Sequence, residues 1–181
     1  MNMEQIVAAC QRKEPDAQRL LYDEYASRML GVCMRYTHSR DEAQDLLHDG
    51  FIKVFEKIGQ LQSAQSLEGW MYKIMVHESV NYVTRNKNVT YYDIDQMEEQ
   101  CDFSSRMDDD VLDTDAHSVE RVLAAIRELP DLYRLAFNLR EVDELTYTQI
   151  ASELNRPEGT VRSLVFRAKQ MLRNKIQNIE I

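Results

Sequence analysis

The segment 70–87 mixes aromatic side chains with cationic and amide side chains, a combination that suits unpaired nucleic-acid bases. Aromatic rings offer faces on which bases stack, while cations and amides hydrogen-bond to base edges. The candidate residues are Trp70, Tyr72, Lys73, His77, Asn81, Arg85 and Lys87. Trp70 has an alternative role, because an aromatic residue at helical spacing is more often part of a hydrophobic core. The segment therefore predicts a nucleic-acid contact, and both roles stay open for Trp70.

A second set of candidate side chains lies on a predicted helix in the last part of the chain and just before its start. It combines cations and small polar residues with one aromatic: Arg156, Gly159, Thr160, Arg162, Ser163, Phe166, Arg167, Lys169 and Arg173. Arginine in the major groove donates to base edges, and cations around it contact phosphates. We assign Arg162 and Arg167 to base edges, and we assign Arg156, Lys169 and Arg173 to phosphates.

Local signals around this face predict a helix-turn-helix. Thr146 and Gln149 have the spacing of a capping box, Asn155 tolerates the left-handed backbone of a tight turn, and Pro157 suits a first helical turn. Residues 156–181 carry six basic and two acidic side chains, so the basic patch coincides with the second helix. This arrangement is typical of major-groove recognition. The alternative is a helical hairpin used for protein contact.

Helical periodicity runs through residues 1–90, where apolar residues recur at three- and four-residue steps. One such inward stripe begins at Leu20 and Leu21, and a capping box from Ser39 to Glu42 opens a later helix. The economical fold is a bundle of about four helices. One polar face of the third helix carries Gln44, Asp45, His48, Asp49 and Lys53. Such a face, taken alone, predicts contact with solvent.

The formal net charge of the 181-residue chain is −9, which taken alone disfavours a nucleic-acid partner. The acidity is concentrated in residues 91–117, which contain one basic and ten acidic residues. This segment lacks a sustained apolar period, so it predicts a flexible linker between two helical domains. Two roles stay open for it: an inert spacer, or a polyanion that lies in the basic groove of a partner. Asp108, Asp109 and Asp110 offer no preorganised metal cage.

Other classes of protein find little support in the sequence. The three cysteines and four histidines are scattered, and neither a Cys–His pairing nor a glycine-rich phosphate loop occurs. We therefore expect neither enzymatic activity, nor a metal, nor a cofactor. The apolar runs are too short to span a bilayer and no signal peptide is evident, so we expect a cytoplasmic protein without membrane insertion.

Two parts of the chain together resemble bacterial extracytoplasmic-function (ECF) sigma factors, which belong to the sigma-70 family. The promoter-binding C-terminal domain of that family is closely similar to residues 129–175, LPDLYRLAFNLREVDELTYTQIASELNRPEGTVRSLVFRAKQMLRNK. The family's other domain looks like two earlier stretches in the same order, RDEAQDLLHDGFIKVFEKI and LEGWMYKIMVHESVNYVTRNK. A helix-turn-helix alone is weak evidence, but the combination of two domains is specific.

The resemblance implies an all-α chain of two small domains, residues 1–90 and 118–181, joined by the linker 91–117. It implies a subunit that binds bacterial core RNA polymerase, recognises the upstream (−35) and downstream (−10) promoter elements and promotes melting. The third-helix face would then contact the polymerase, and the set at 70–87 would hold a base extruded from the downstream element. The helix-turn-helix set would read the upstream element. An anti-sigma factor is a further expected partner.

Three positions depart from the family pattern. His77 stands where asparagine is frequent and Asn81 where aspartate is frequent, so we expect a different base preference at the downstream element. Leu164 replaces a frequent arginine, which removes one expected phosphate contact.

The competing hypothesis is a free-standing helix-turn-helix transcriptional regulator, in which residues 1–90 sense a ligand or form a dimer. It predicts tight duplex binding without polymerase, ordinarily on a two-fold site. Nothing in residues 1–90 resembles a ligand pocket or a long dimer seam, so the sequence disfavours this hypothesis.

Overall fold

Helices are the regular secondary structure of the computed structural model, which describes residues 2–86 and 116–177. The first domain consists of α1 (Met3–Gln11), α2 (Pro15–Cys33), α3 (Arg40–Lys57), short 3-10 turns at Ile58–Gln60 and Ala64–Ser66, and α4 (Leu67–Asn86). The second consists of α5 (Ala116–Arg127), α6 (Asp131–Phe137), a π-helical turn (Asn138–Val142), α7 (Tyr147–Leu154) and α8 (Glu158–Gln177). The predicted all-α class is confirmed. Most of the predicted linker lies outside the described residues.

Polar side chains at the helix starts explain where α1 and α3 begin. The Asn2 side chain accepts a hydrogen bond from the Gln5 amide at 2.9 Å, and the Gln5 side chain accepts one from the Asn2 amide at 3.0 Å. At α3, the Ser39 hydroxyl accepts from the Glu42 amide at 3.1 Å, as predicted. The Glu42 carboxylate accepts from the His38 amide at 2.9 Å, one residue before the position that a capping box predicts.

The inward stripe of α2 follows a strict four-residue step. Leu21, Tyr25 and Met29 are all buried, and they pack with apolar residues of α1, α3 and α4 in one cluster. The prediction for Leu20 was wrong, because its side chain is 47% exposed. Leu20 precedes this stripe by one residue, and one residue rotates a side chain by roughly 100° around a helix. It therefore lies on the outer side of α2.

The second domain is organised by the predicted turn. The Thr146 side chain accepts from the Gln149 amide at 3.2 Å and the Gln149 side chain accepts from the Thr146 amide at 2.8 Å, so this capping box is complete. Asn155 then adopts left-handed backbone, with φ of 50°. This turn sets α8 against α6 and α7, where Val161 and Val165 are buried. The predicted helix-turn-helix is therefore present.

The two domains pack against each other, with α4 of the first facing α6 and α7 of the second. Leu139 and Ile150 of the second domain are completely buried and belong to the same apolar cluster as the core of the first domain. The side-chain amide of Asn138, a buried residue, donates its Nδ2 hydrogen to the backbone carbonyl of Arg35 at 2.9 Å across the boundary. One apolar cluster thus crosses the boundary between the domains, while two smaller clusters, around Leu129 and around Val165, lie within the second domain.

Within residues 2–86 and 116–177, no helix is both long enough and apolar enough to cross a membrane. The same described residues contain no group of three or more His, Cys, Asp or Glu side chains placed to hold a metal ion.

Candidate nucleic-acid interface

The outer face of α8 presents the predicted helix-turn-helix set. Phe166 is 45% exposed, whereas Leu164 and Val165 of the same helix are buried against α6. Ser163 is half-exposed, and its hydroxyl donates to the Gly159 carbonyl at 3.1 Å. The other residues of the set that remain half-exposed are Arg156, Thr160, Arg162, Arg167, Lys169 and Arg173. The outer face of α8 therefore exposes polar and aromatic side chains, while its inner face is apolar and buried.

Arg162 is held in position by two neighbours. Its Nε and Nη2 donate to Glu158 Oε1, one turn earlier, at 3.1 and 2.6 Å. Its guanidinium carbon lies 4.4 Å from the centroid of the Tyr147 ring on α7. The Thr148 hydroxyl donates to Glu158 Oε2 at 2.9 Å, and the bonds from Arg162 and then Thr148 lower the pKa of Glu158. Any further acceptor for Arg162 would therefore have to share its guanidinium with Glu158 or replace it.

The cations at the rim of α8 are paired with acids of the same domain. Lys169 Nζ lies 3.0 Å from Glu141 Oε1, and Lys175 forms a close ion pair with Glu128. Exposed pairs of this kind contribute little stability and exchange readily for other anions. A phosphate can therefore replace Glu141 as the partner of Lys169 at small cost.

The predicted set on α4 is divided between solvent and the second domain. Lys73 and Arg85 are exposed and Asn81 is half-exposed. Trp70 is partly buried and packs against the core, which is the alternative role that its spacing favoured. Lys87 lies outside the described residues. The structure thus leaves Lys73 and Arg85 facing outward and packs Trp70 against the core.

Tyr72 and His77, the remaining members of that set, contact the second domain. The Tyr72 hydroxyl donates to Asp143 and accepts from Arg35 Nη2 at 2.8 Å. His77 Nδ1 lies 3.4 Å from Glu153 Oε2 on α7. The hydrogen bond to Asp143 thus occupies the Tyr72 hydroxyl in this structure, whereas the His77 side chain stays 52% exposed beside Glu153.

The polar face of α3 is exposed, as the sequence predicted. Gln44, Asp45, His48 and Asp49 are exposed, and Lys53 is half-exposed with its Nζ 2.8 Å from Glu56 Oε2. The His48 ring stacks near Tyr22 of α2, whose hydroxyl lies 3.2 Å from His48 Nε2.

Sequence reasoning missed Ile52, which lies on the outside of the same helix and is 54% exposed. An exposed isoleucine adds an apolar contact to a face that is otherwise polar, as protein-binding surfaces often do. The signal available in the sequence was that Ile52 falls outside the inward stripe of Leu47, Phe51 and Val54.

A polar cluster between the domains was also missed. The carboxylate of Asp143 accepts hydrogen bonds from the Tyr36 and Tyr72 hydroxyls and from Arg35 Nη2, the last at 3.1 Å. Burial, followed by the charge and hydrogen bond of Asp143, raises the pKa of Tyr36 well above its usual range. Burial and the Asp143 hydrogen bond also raise the pKa of Tyr72. No local pattern links residues so far apart in sequence.

Comparison with known proteins agrees with the two-domain architecture. Residues 21–89 match the family model for sigma-70 region 2, and residues 119–172 match the model for sigma-70 region 4. The first match covers most of α2 to α4, and the second covers the helix-turn-helix. Both predicted domains are therefore matched by sigma-70 family models, which favours a sigma factor over the competing hypothesis.

Relatives align over nearly their whole length. The chain is 31% identical to the RNA polymerase sigma-H factor of Pseudomonas aeruginosa, over 96% of this chain and 93% of that protein. It is 31% identical to the ECF RNA polymerase sigma-E factor of Haemophilus influenzae, over 95% and 94%. It is 29% identical to the protein of the same name from Escherichia coli K12, over 95% and 93%.

A solved structure, the RsbN-BldN complex, contains a chain with 18% identity that aligns over 93% of this chain and 97% of that one. Its TM-score is 0.39, and at that value the likeness adds nothing to the assignment. The family assignment rests instead on the region 2 and region 4 matches and on the relatives that align over nearly their whole length. They agree with the exposed helix-turn-helix of the second domain and the helical bundle of the first, and on that evidence this chain belongs to the ECF sigma factors of the sigma-70 family.

Proposed function

We propose that this ECF sigma factor divides promoter recognition between its two domains, with α8 reading the upstream element and α4 holding an extruded base of the downstream element. Sigma factors bind core RNA polymerase and promoter DNA. The observation that carries the residue assignment is the outer face of α8, where exposed Phe166 stands among half-exposed arginines beyond a left-handed turn at Asn155.

At the upstream element, Arg162 and Arg167 donate to base edges, and Arg156, Lys169 and Arg173 contact phosphates. A good bidentate contact is worth about 1–3 kcal/mol of discrimination between bases. Phosphate contacts fix the register without carrying sequence information. The pairing of Arg162 with Glu158 supports this assignment, because an arginine that is already oriented loses less freedom on binding.

At the downstream element, Lys73, Asn81 and Arg85 on α4 contact an extruded strand, with Tyr72 and His77 joining them once they are released from the second domain. Extruding a base costs about a few kcal/mol, and stacking returns roughly 1–3 kcal/mol per base. One small bundle therefore holds a melted base but does not open a duplex without polymerase. Because His77 and Asn81 depart from the family pattern, we expect this chain to prefer a different base at the downstream element.

The polymerase-binding surface is the exposed face of α3, formed by Gln44, Asp45, His48, Asp49 and Lys53 with Ile52 as its apolar centre. The mixture of exposed charges with one exposed isoleucine supports this role. An anti-sigma factor that covers this face or the DNA-binding faces is a further proposed partner. We assign no catalytic step to the chain itself, and we place its action in the cytoplasm, with the polymerase and the promoter.

The acidic linker, residues 91–117, lies for the most part outside the described residues, and its role is a proposal from sequence. We propose that it lies in a basic channel of the polymerase that otherwise holds nucleic acid. Exchanging its Asp and Glu residues for Asn and Gln should alter initiation or early RNA release without unfolding either domain. Unchanged initiation would leave only the spacer role.

Transcription in vitro with bacterial core polymerase on a promoter library tests the proposed function. The expected result is initiation that depends on the chain and selects templates sharing two separated sequence elements. Substituting Arg167→Ala should then relax selection at the upstream element and leave the complex with core polymerase intact. Absence of any stable complex with core polymerase would contradict the proposal.

A further inference from the structure

We propose that Gln11, the last residue of α1, is a positioning residue for base capture. Its side-chain amide fixes the segment of residues 58–66, here called the entry loop, which leads from α3 into α4. The exposed amide side chains of the entry loop then contact the edge of the downstream base that α4 holds. The proposal rests on the proposed function of α4, but the fixing of the entry loop is measured without DNA.

Gln11 is hydrogen-bonded to both ends of the first turn of the entry loop. Its Nε2 donates to the backbone carbonyl of Ile58 at 3.1 Å and to that of Leu61 at 3.3 Å. Within the turn, the Leu61 amide donates to the same Ile58 carbonyl at 3.1 Å. Both partners of Gln11 are acceptors, so only the nitrogen end of its amide can face them. One side chain of α1 therefore ties together the backbone at the point where the chain leaves α3.

The entry loop is apolar on its inner side and polar on its outer side. Ile58, Leu61 and Leu67, the first residue of α4, are buried in the core of the first domain. Amide and hydroxyl side chains donate to and accept from base edges. The exposed side chains of this kind are Gln60, Gln62, Ser63, Gln65 and Ser66. The entry loop thus presents uncharged hydrogen-bonding groups directly before the first turn of α4.

The backbone of the entry loop needs a partner from outside itself. Carbonyl groups at the end of a helix have no acceptor role within that helix, and Gln11 supplies a donor to one of them at Ile58. α1 packs against both short turns of the loop, so the helix that carries Gln11 is itself held in place. Groups held in a fixed geometry select between ligands better than mobile groups do. Gln11 is exposed, so its contribution is to the path of the entry loop rather than to the core.

Substitutions at position 11 separate the donor from the bulk of the side chain. Gln11→Met keeps the length and removes the donor, Gln11→Glu places an acceptor against two carbonyls, and Gln11→Lys restores a donor of similar reach. Arg12→Met is the matched control, since Arg12 is the next residue, is exposed, and pairs with Glu14 rather than with the entry loop. Thermal unfolding of each full-length variant should stay close to that of the wild type, because replacing an exposed side chain leaves no cavity.

Amide hydrogen exchange of the free chain, followed residue by residue by NMR, reports the order of the entry loop. We expect Gln11→Met and Gln11→Glu to speed exchange of the Leu61 amide about two- to tenfold, as the loss of an ordinary hydrogen bond would do. Gln11→Lys and Arg12→Met should exchange at close to the wild-type rate.

Base selection is measured with the complex of each variant and core polymerase. The probes are two labelled single strands, one with the downstream element of a promoter on which the chain initiates and one with a single base of that element changed. We expect Gln11→Met and Gln11→Glu to lower the ratio of the two affinities about two- to tenfold, and Gln11→Lys and Arg12→Met to keep it. A merely structural role would weaken both strands alike and leave the ratio unchanged.

Unchanged exchange of the Leu61 amide in both Gln11→Met and Gln11→Glu would overturn the fixing of the entry loop. Faster exchange with an unchanged affinity ratio would overturn its role in base selection, and a Gln11→Lys chain that behaved like Gln11→Met would overturn the role of the donor. Failure of the proposed function gives a different result: the wild-type chain would not initiate with core polymerase, while Leu61 exchange would still differ between wild type and Gln11→Met.

Discussion

Glu158 and Arg162 form a salt bridge one helical turn apart on α8, with Nη2 and Oε1 separated by 2.6 Å. The pair lies on the helix that we assign to the major groove. In the free chain, the guanidinium of Arg162 is therefore already bonded to Glu158. Both side chains are about two-fifths exposed, at 39% and 41%, which makes the pair weak and exchangeable. In the proposed complex, Glu158 would orient Arg162 and would also compete with the base edge for its guanidinium.

Glu158→Gln separates these two effects. The amide still accepts from Arg162 but carries no charge, so the competition with DNA weakens. We expect upstream-element binding by the holoenzyme to strengthen by about twofold or less, because exposed pairs are weak. Arg162→Ala should instead lower the discrimination at one base position by about 1–3 kcal/mol. Competition binding with templates altered at single positions measures both, and a loss of affinity in Glu158→Gln larger than in Arg162→Ala would contradict this assignment.

Alanine substitutions of Arg167 and of Lys169 should weaken DNA binding in different ways. Arg167→Ala should relax selection at one or two base pairs, whereas Lys169→Ala should weaken all templates alike and reduce the salt dependence by about one phosphate contact. The measurement is holoenzyme affinity for matched and mismatched templates over a range of salt concentrations. If the two variants gave the same specificity profile, the division between base and phosphate contacts would be wrong.

Arg134→Ala should destabilise the chain strongly. Its side chain is 2% exposed and its donors contact Asp131, the Arg127 carbonyl and the Tyr36 carbonyl. Removing one member of a buried charged cluster costs about 3–5 kcal/mol, because the partners are left without compensation. Chemical denaturation measures the change. The control is Arg12→Ala, which breaks an exposed pair with Glu14 and should cost about 1 kcal/mol or less. Similar costs for the two variants would contradict the burial of Arg134.

The phenols of Tyr36 and Tyr72 should ionise late in an alkaline titration. Their pKa values are raised from the ordinary 10.0, by burial first and then by Asp143. A raised folded-state pKa means that their stabilisation is complete below pH 10 and is lost as the pH rises above it, since the unfolded chain ionises first. Phenolate absorbance should show a late component that shrinks in Tyr36→Phe. A late component that neither Tyr36→Phe nor Asp143→Asn changed would contradict the role of the hydrogen bonds from Tyr36 and Tyr72 to Asp143.

Local features of the fold were predictable because their causes lie close together in sequence. The Thr146–Gln149 capping box and the left-handed Asn155 each depend on a few neighbouring residues, and both occur where the sequence placed them. The burial of Asp143 was not predictable, because it depends on Tyr36, which lies 107 residues earlier in the chain. The role of Tyr72 failed to emerge for the same reason, since a helical pattern does not reveal which domain will cover a given face.

The net charge of the whole chain also hides what is local. A formal net charge of −9 disfavoured a nucleic-acid partner, yet the acidity lies in residues 91–117 and the α8 region is basic. Charge placed in one segment says little about a surface elsewhere in the chain. The overall acidity remains consistent with a protein that reaches DNA as a subunit of a larger assembly.

The most direct test of the central claim is run-off transcription with core polymerase on three templates: an initiating promoter, the same promoter with its upstream element replaced, and the same promoter with its downstream element replaced. The two-domain account predicts strong initiation on the first template, loss of initial binding on the second, and binding without productive melting on the third. Tight duplex binding by the chain alone, ordinarily as a dimer, with no initiation on any template would contradict the account.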